Sequence, residues 1–178
     1  MHSPRQAGQS LVETCLVIAL ISLIFFGLFQ VSQVIAAKEV LGYSAGRGLR
    51  AKTVGFNWFM VYKTTRVGAI PIAGRLTEPT WTGGPRTEHA HETPRIPLYL
   101  GSRQWGDLDA ILNYADWKTV WFAPPGVAPD GTLHMDVTQD MPLKFAMHRA
   151  FYADDSVHLT GESSLDDHYP LYLEDWGL

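Results

Sequence analysis

The 178 residues hold a single cysteine, Cys15, which excludes an intrachain disulfide and any multi-cysteine zinc site. Charge is also scarce, at 18% of residues, and no charged side chain occurs between Thr14 and Ala37. There is no nucleophile elbow, P-loop or dinucleotide fingerprint; Gly83-Gly84 and Gly46-Arg47-Gly48 are too short to count. Internal repeats and low-complexity stretches are missing too. What charge exists is uneven: residues 1–52 carry five Lys/Arg against two Asp/Glu, a balance of +3, and the remainder carries −7. An acidic body offers no footprint for a polyanion, so nucleic acid is not an expected partner. With 46% hydrophobic residues the chain can still build a core, and its length suits one ordinary domain.

What the sequence does have is a long uncharged run. From Thr14 to Phe29 it is almost purely apolar. A helix over Thr14–Ala37 would be about 36 Å long, against a bilayer hydrocarbon core of about 30 Å. Leu16, Val17, Ile18, Leu20, Ile21, Leu23, Ile24, Phe25, Phe26, Leu28 and Phe29 would surround such a helix. A helix apolar on all faces belongs in lipid or inside a helix bundle. The run is too long for the apolar region of a removable secretory signal, and Glu13 stands at its entrance. Beyond Ala37 a narrow stripe of Val34, Leu41, Ala45 and Leu49 continues the helical period. Gly42 and Gly46 supply a small-x-x-x-small spacing for close helix packing. Gly48 weakens this extension unless it finds partners. The basic flank of Lys38, Arg47, Arg50 and Lys52 outnumbers Arg5, so the positive-inside rule alone would put the N terminus outside. A helix that runs on past the lipid carries those charges away from the surface.

Glu13 is the most informative residue, because an ionisable group at the mouth of a membrane helix is costly unless neutralised. The stretch Gly8-Gln9-Ser10-Leu11-Val12-Glu13 follows a short polar leader, Met1 to Ala7. It resembles the processing site of a type IV prepilin, cut after Gly8 by a membrane peptidase. The resemblance implies a new amino group on Gln9 that pairs in a filament with a neighbouring subunit's Glu13. That string, the apolar helix and Tyr43-Ser44-Ala45-Gly46-Arg47-Gly48-Leu49-Arg50 together resemble the TadE-like proteins of tight-adherence (Flp-type) pili. That family commonly reads Gly-Gln-Ala-Leu-Val-Glu, and after the helix Ala-Arg-Glu-Gly-Ala-Arg. Val137 to Leu143 and Val157 to Leu165 are more loosely similar to the family's last strands. The chain departs from many relatives in lacking a cysteine pair in its outer body.

The outer body, residues 53–178, reads as α+β. Pro71, Pro79, Pro85, Pro94 and Pro97, with Gly74, Gly83 and Gly84, predict an extended connection or loop over 71–97. Ser102 then caps an amphipathic helix whose buried stripe is Trp105, Leu108, Ile111, Leu112 and Ala115, with Lys118 after its end. Past Gly126 the period becomes two: Leu133, Met135 and Val137 alternate with polar residues, as do Val157, Leu159, Gly161 and Ser163. Leu143, Phe145 and Met147, and Tyr169, Leu171 and Leu173, are candidate further strands. Short alternating runs predict an antiparallel sheet with one solvated face and one helix packed on the other.

Other chemistry is thin. Glu88-His89-Ala90-His91-Glu92 is the nearest approach to a metal motif, but no third ligand has a recognisable spacing, and a solvated loop accounts for it better. Asp154-Asp155 and Asp166-Asp167 read as turn chemistry between strands. The six Trp residues, and the aromatic segment Phe56 to Tyr62, suit a core or an interface. The sequence therefore predicts no catalytic, cofactor or metal site. It predicts a leader over 1–8, an assembly helix over 9–52 and an extracytoplasmic α+β domain over 53–178. Expected partners are a prepilin peptidase, other pilin subunits, the pilus assembly platform and the lipid bilayer. The expected role is a minor pilin or pseudopilin in the cytoplasmic membrane, passing into an extracellular pilus. Two other readings are a permanently anchored ligand-binding domain and, more weakly, an anchored hydrolase using the acidic pairs.

Overall fold

A computed structural model describes residues 4–80, 85–143 and 155–167. The chain is α+β and divides into two compact units: 1–36 with 141–157, and 37–140 with 158–178.

One helix, α1 (Pro4–Thr53), enters both units. In its first segment the apolar side chains from Leu11 to Phe29 stay exposed apart from the half-buried Leu23, with Leu11 at 68% and Phe26 at 39%. Among the described residues this is the one helix long and apolar enough to cross a membrane, with a mean hydropathy of 2.5 over an 18-residue window. In the same unit, the Leu143 amide donates to the Asp155 carbonyl at 2.9 Å.

The second segment of α1 behaves differently, because its apolar residues fall on one stripe. Of the expected stripe Leu41, Ala45 and Leu49 are buried and Val34 is half-buried, and Ala37 and Ala51 are buried beside them. Two elements cover that stripe. The first is α2 (Trp58–Gly68), whose first turn is fixed by Asn57 Oδ1 accepting from the Met60 amide at 3.1 Å. It returns against α1: Ser44 Oγ donates to the Thr65 carbonyl at 2.6 Å, and Gly68 lies against the Ser44 backbone.

The second covering element is a small sheet. Its central strand, β5 (Thr132–Pro142), buries Leu133, Met135, Val137 and Gln139, the alternation the sequence predicts. Antiparallel partners β3 (Val120–Phe122) and β4 (Gly126–Val127) occupy successive stretches of β5, pairing Trp121 with Thr138 and Gly126 with His134. The break between them falls at Pro124 and Pro125, which have no amide to give to a ladder. The turn from β4 to β5 needs Gly131, whose φ is +84°, and Asp130 Oδ1 accepts from the Thr132 amide and hydroxyl. The strand β6 (Ser156–Asp166) also pairs with β5. It passes so close to α1 that Gly161 lies on the backbone of Leu41 and Gly42.

Four expectations for the body need correction. The span 71–97 is not one extended loop: it holds a 3-10 turn (Ile70–Ile72), β1 (Leu76–Glu78), α3 (Pro85–Glu92) and part of α4 (Arg95–Gly101). Pro71, Pro85, Pro94 and Pro97 sit where a helix tolerates them, in or just before a first turn, where no intrahelical amide bond is lost, and Pro79 follows the end of β1. Nor does Ser102 cap a long helix. The α5 helix (Trp105–Ile111) starts after Gln104, and the Ser102 hydroxyl donates to the Gln104 carbonyl at 3.2 Å. It stops because Leu112 turns extended into β2 (Asn113–Tyr114), which pairs with β1; Ala115 to Thr119 then form a 3-10 turn. Trp105, expected in the buried stripe, is 52% exposed and lies against Phe59 and Tyr62. Finally, the body holds four short helices among the described residues, not one. The expected strands at 145–147 and 169–173 lie outside the described residues.

Candidate functional site

The residues of the expected processing and assembly site lie on α1. Gly8 and Gln9 are helical, as is Glu13 one turn later. The Glu13 side chain is exposed and accepts from Gln9 Nε2 at 3.4 Å, a long bond across one turn. Side chains on a helix tilt toward its N terminus, so Glu13 leans toward the Gln9 backbone nitrogen. Thr14 satisfies itself locally, its hydroxyl donating to the Ser10 carbonyl at 2.9 Å. Cys15 is exposed and free.

Gly42 and Gly46, expected to admit a neighbouring helix, face β6 of the same chain. A methyl on Gly42 would lie 3.8 Å from the Glu162 carbonyl oxygen, and one on Gly46 would lie 3.3 Å from Ser163 Oγ. Gly48 is accommodated by Thr65 Oγ1 and the Met135 thioether.

His89 and His91 stand two residues apart on α3, about 200° around the helix, so they cannot close on one ion without unwinding it. Among the described residues no group of three or more His, Cys, Asp or Glu is placed to hold a metal. Asp155 begins and Asp166 ends the surroundings of β6, and the Asp167 amide donates to the Gly131 carbonyl at 3.1 Å. Asp154 lies outside the described residues.

The densest polar arrangement was not expected at all. Arg66, in the last turn of α2, is 7% exposed and sits in an aromatic surround. Its guanidinium carbon lies 4.0 Å from the Trp117 ring centre, 5.4 Å from Tyr62 and 5.9 Å from Tyr99. Arg66 Nη1 pairs with Asp109 Oδ1 on α5 at 2.9 Å, and Nε has no partner. Trp117 is held in place by Tyr114 at 4.7 Å, within a core of Val67, Ala73, Leu76, Tyr99, Leu108, Leu112 and Tyr114. Its Nε1 is buried and also unpartnered. Burial raises the Tyr62 and Tyr99 hydroxyl pKa values above the ordinary 10.0, with the Arg66 charge opposing the rise. An open cavity of about 470 Å³ lies over this arrangement, lined also by Thr77, Asn113 and Lys118.

One turn earlier on α2, Lys63 is fully buried. Its Nζ donates to the Leu100 carbonyl at 2.5 Å and the Ser102 carbonyl at 2.6 Å, and it lies 4.4 Å from the Phe59 ring centre. It satisfies carbonyls that the end of α4 leaves open. Burial lowers its pKa from 10.5. Neither cation was legible as a site, since their partners lie 37 to 43 residues away in sequence. The nearest signal was the aromatic segment that precedes them.

Compared with known proteins, the chain matches no family model, no curated protein and no solved structure.

Proposed function

We propose that this chain is a non-enzymatic, prepilin-like subunit of a TadE-like, tight-adherence pilus system, acting as a minor pilin or assembly component. The observation that carries the reading is the first segment of α1, where the apolar side chains from Leu11 to Phe29 are exposed but for a half-buried Leu23. In water that surface would drive aggregation; in a bilayer, or among like helices, it is matched. The Gly8/Glu13 spacing in front of it supplies the means of leaving the bilayer for a filament. A peptidase cuts after Gly8, and the amino group exposed on Gln9 neutralises a Glu13 carboxylate that would otherwise be a costly unpaired charge.

In the precursor, the leader faces the cytoplasm and the body lies outside the cytoplasmic membrane. The continuity of α1 to Thr53 supports this orientation, since Arg47, Arg50 and Lys52 ride on helix well past the apolar run. Gly42 and Gly46 are engaged by β6, so the helix contacts between subunits belong to the segment before Ala37.

Intact-mass measurement of the membrane-extracted protein tests the reading. With an active prepilin peptidase, the mature chain starts at Gln9, and Gly8→Ala leaves uncleaved precursor and abolishes assembly. A chain that keeps Met1 in such cells, and behaves identically with Gly8→Ala, is instead a permanently anchored binding protein. The cavity over Arg66 is what favours that second reading.

A further inference from the structure

The Arg66 cavity is built in a way that the packing of the body does not require. A buried guanidinium is ordinarily matched by partners across its whole fork. Here one oxygen of Asp109 meets Nη1, Nε is unpartnered, and the Asp109 side chain is 64% exposed while that of Arg66 is 8% exposed. The cation is fixed by Trp117, Tyr62 and Tyr99, and its counter-ion is the movable half of the pair. Among the lining residues two cations, Arg66 and the exposed Lys118, stand against one carboxylate, Asp109, and Asn113 adds a side-chain amide.

We propose that this cavity binds an acidic saccharide, whose carboxylate displaces Asp109 and forks across Arg66. Lys118 steadies the anion, and Asn113 and Thr77 take the ring hydroxyls. Three features select this class. The surplus of positive charge, Arg66 and Lys118 against Asp109 alone, calls for an anion. The volume, about 470 Å³, far exceeds a bare carboxylate and falls in the range of small-molecule sites. The displaced Asp109 remains close by, which disfavours a dianionic phosphate more than a monoanionic carboxylate. Asp109 is then a placeholder that keeps the guanidinium neutralised while the cavity is empty. The inference does not depend on Gly8 processing or on filament assembly.

The test uses the full chain, 15N-labelled in detergent micelles, titrated with sodium glucuronate, glucose, acetate and inorganic phosphate in turn. Glucuronate shifts the Trp117 indole N–H resonance in a saturable way, and glucose and acetate each bind at least tenfold more weakly. Lys118→Gln, an exposed change that leaves Tm unaltered, weakens glucuronate several-fold. Asp109→Asn strengthens it several-fold by removing the competitor. No response to glucuronate, an equal response to glucose or acetate, or tighter binding of phosphate overturns the proposal, as does a weaker glucuronate affinity in Asp109→Asn.

Discussion

The crossing of β6 over α1 allows a prediction in which two glycines only one contact apart respond in opposite directions. A Cβ on Gly161 would overlap the Gly42 nitrogen and the Leu41 carbonyl carbon, and these are backbone atoms of a packed helix that cannot rotate aside. The strand must lift or the helix must bend. Leu159, 6% exposed, and the fully buried Leu41 would lose contact together. Overpacking of this kind costs about 3 kcal/mol, the upper end of the usual span, because no side chain can absorb it. Gly42 faces the same crossing from the helix side, yet its Cβ would meet the Glu162 carbonyl oxygen at an ordinary 3.8 Å. Gly42→Ala therefore gains about 1 kcal/mol of helix propensity at little steric cost. Urea titration of each full-length variant in micelles, followed by tryptophan fluorescence, measures both effects. Gly161→Ala lowers the midpoint substantially and Gly42→Ala raises it. If Gly161→Ala proved as stable as the parent chain, the direct strand-on-helix contact would be refuted.

Other perturbations follow from the same packing. Lys63→Met fills a similar volume but strands the Leu100 and Ser102 carbonyls, a loss of about 2 kcal/mol by urea titration. Leu108→Ala, at a site 1% exposed within the α5 core, costs about 3 kcal/mol by the same assay. The Tyr99 hydroxyl is buried without a hydrogen-bond partner, so Tyr99→Phe holds or slightly raises stability at neutral pH. Because burial raises the folded-state pKa of Tyr62 and Tyr99 above the unfolded value of 10.0, the unfolded chain releases those protons first. That contribution is fully present below pH 10 and is lost as pH climbs toward the folded values, and Tyr99→Phe makes the decline shallower in thermal melts recorded across that window. On the proposed pilin reading, Glu13→Gln leaves the body's melting unchanged while reducing recovery of assembled filaments, read by sedimentation of sheared cell fractions.

How much of this was legible beforehand depends on whether the signal is local. The apolar run of α1 and its buried stripe could be read, since lipid-like composition and a 3.6-residue period are properties of neighbouring residues. The long strands β5 and β6 could be read for the same reason, through alternation of Leu133, Met135 and Val137. The short elements were missed. Strands of two or three residues such as β2 and β4 carry no period, and Pro85, Pro94 and Pro97 look like breakers until it is known that they stand at helix starts. Trp105 falls on the expected apolar period, and only its neighbours decide that it stays half exposed.

Composition and spacing thus determined that the chain carries a long apolar helix near its N terminus, that Gly8 and Glu13 precede its apolar run, and that the chain is α+β. Tertiary structure alone decided that Gly42 and Gly46 serve β6, and that Arg66 meets Asp109 and Trp117 from elements far apart in the chain. The division has a physical cause. A helix's affinity for lipid is a sum over its own residues, whereas the partner of a buried cation is chosen by how the rest of the chain closes around it.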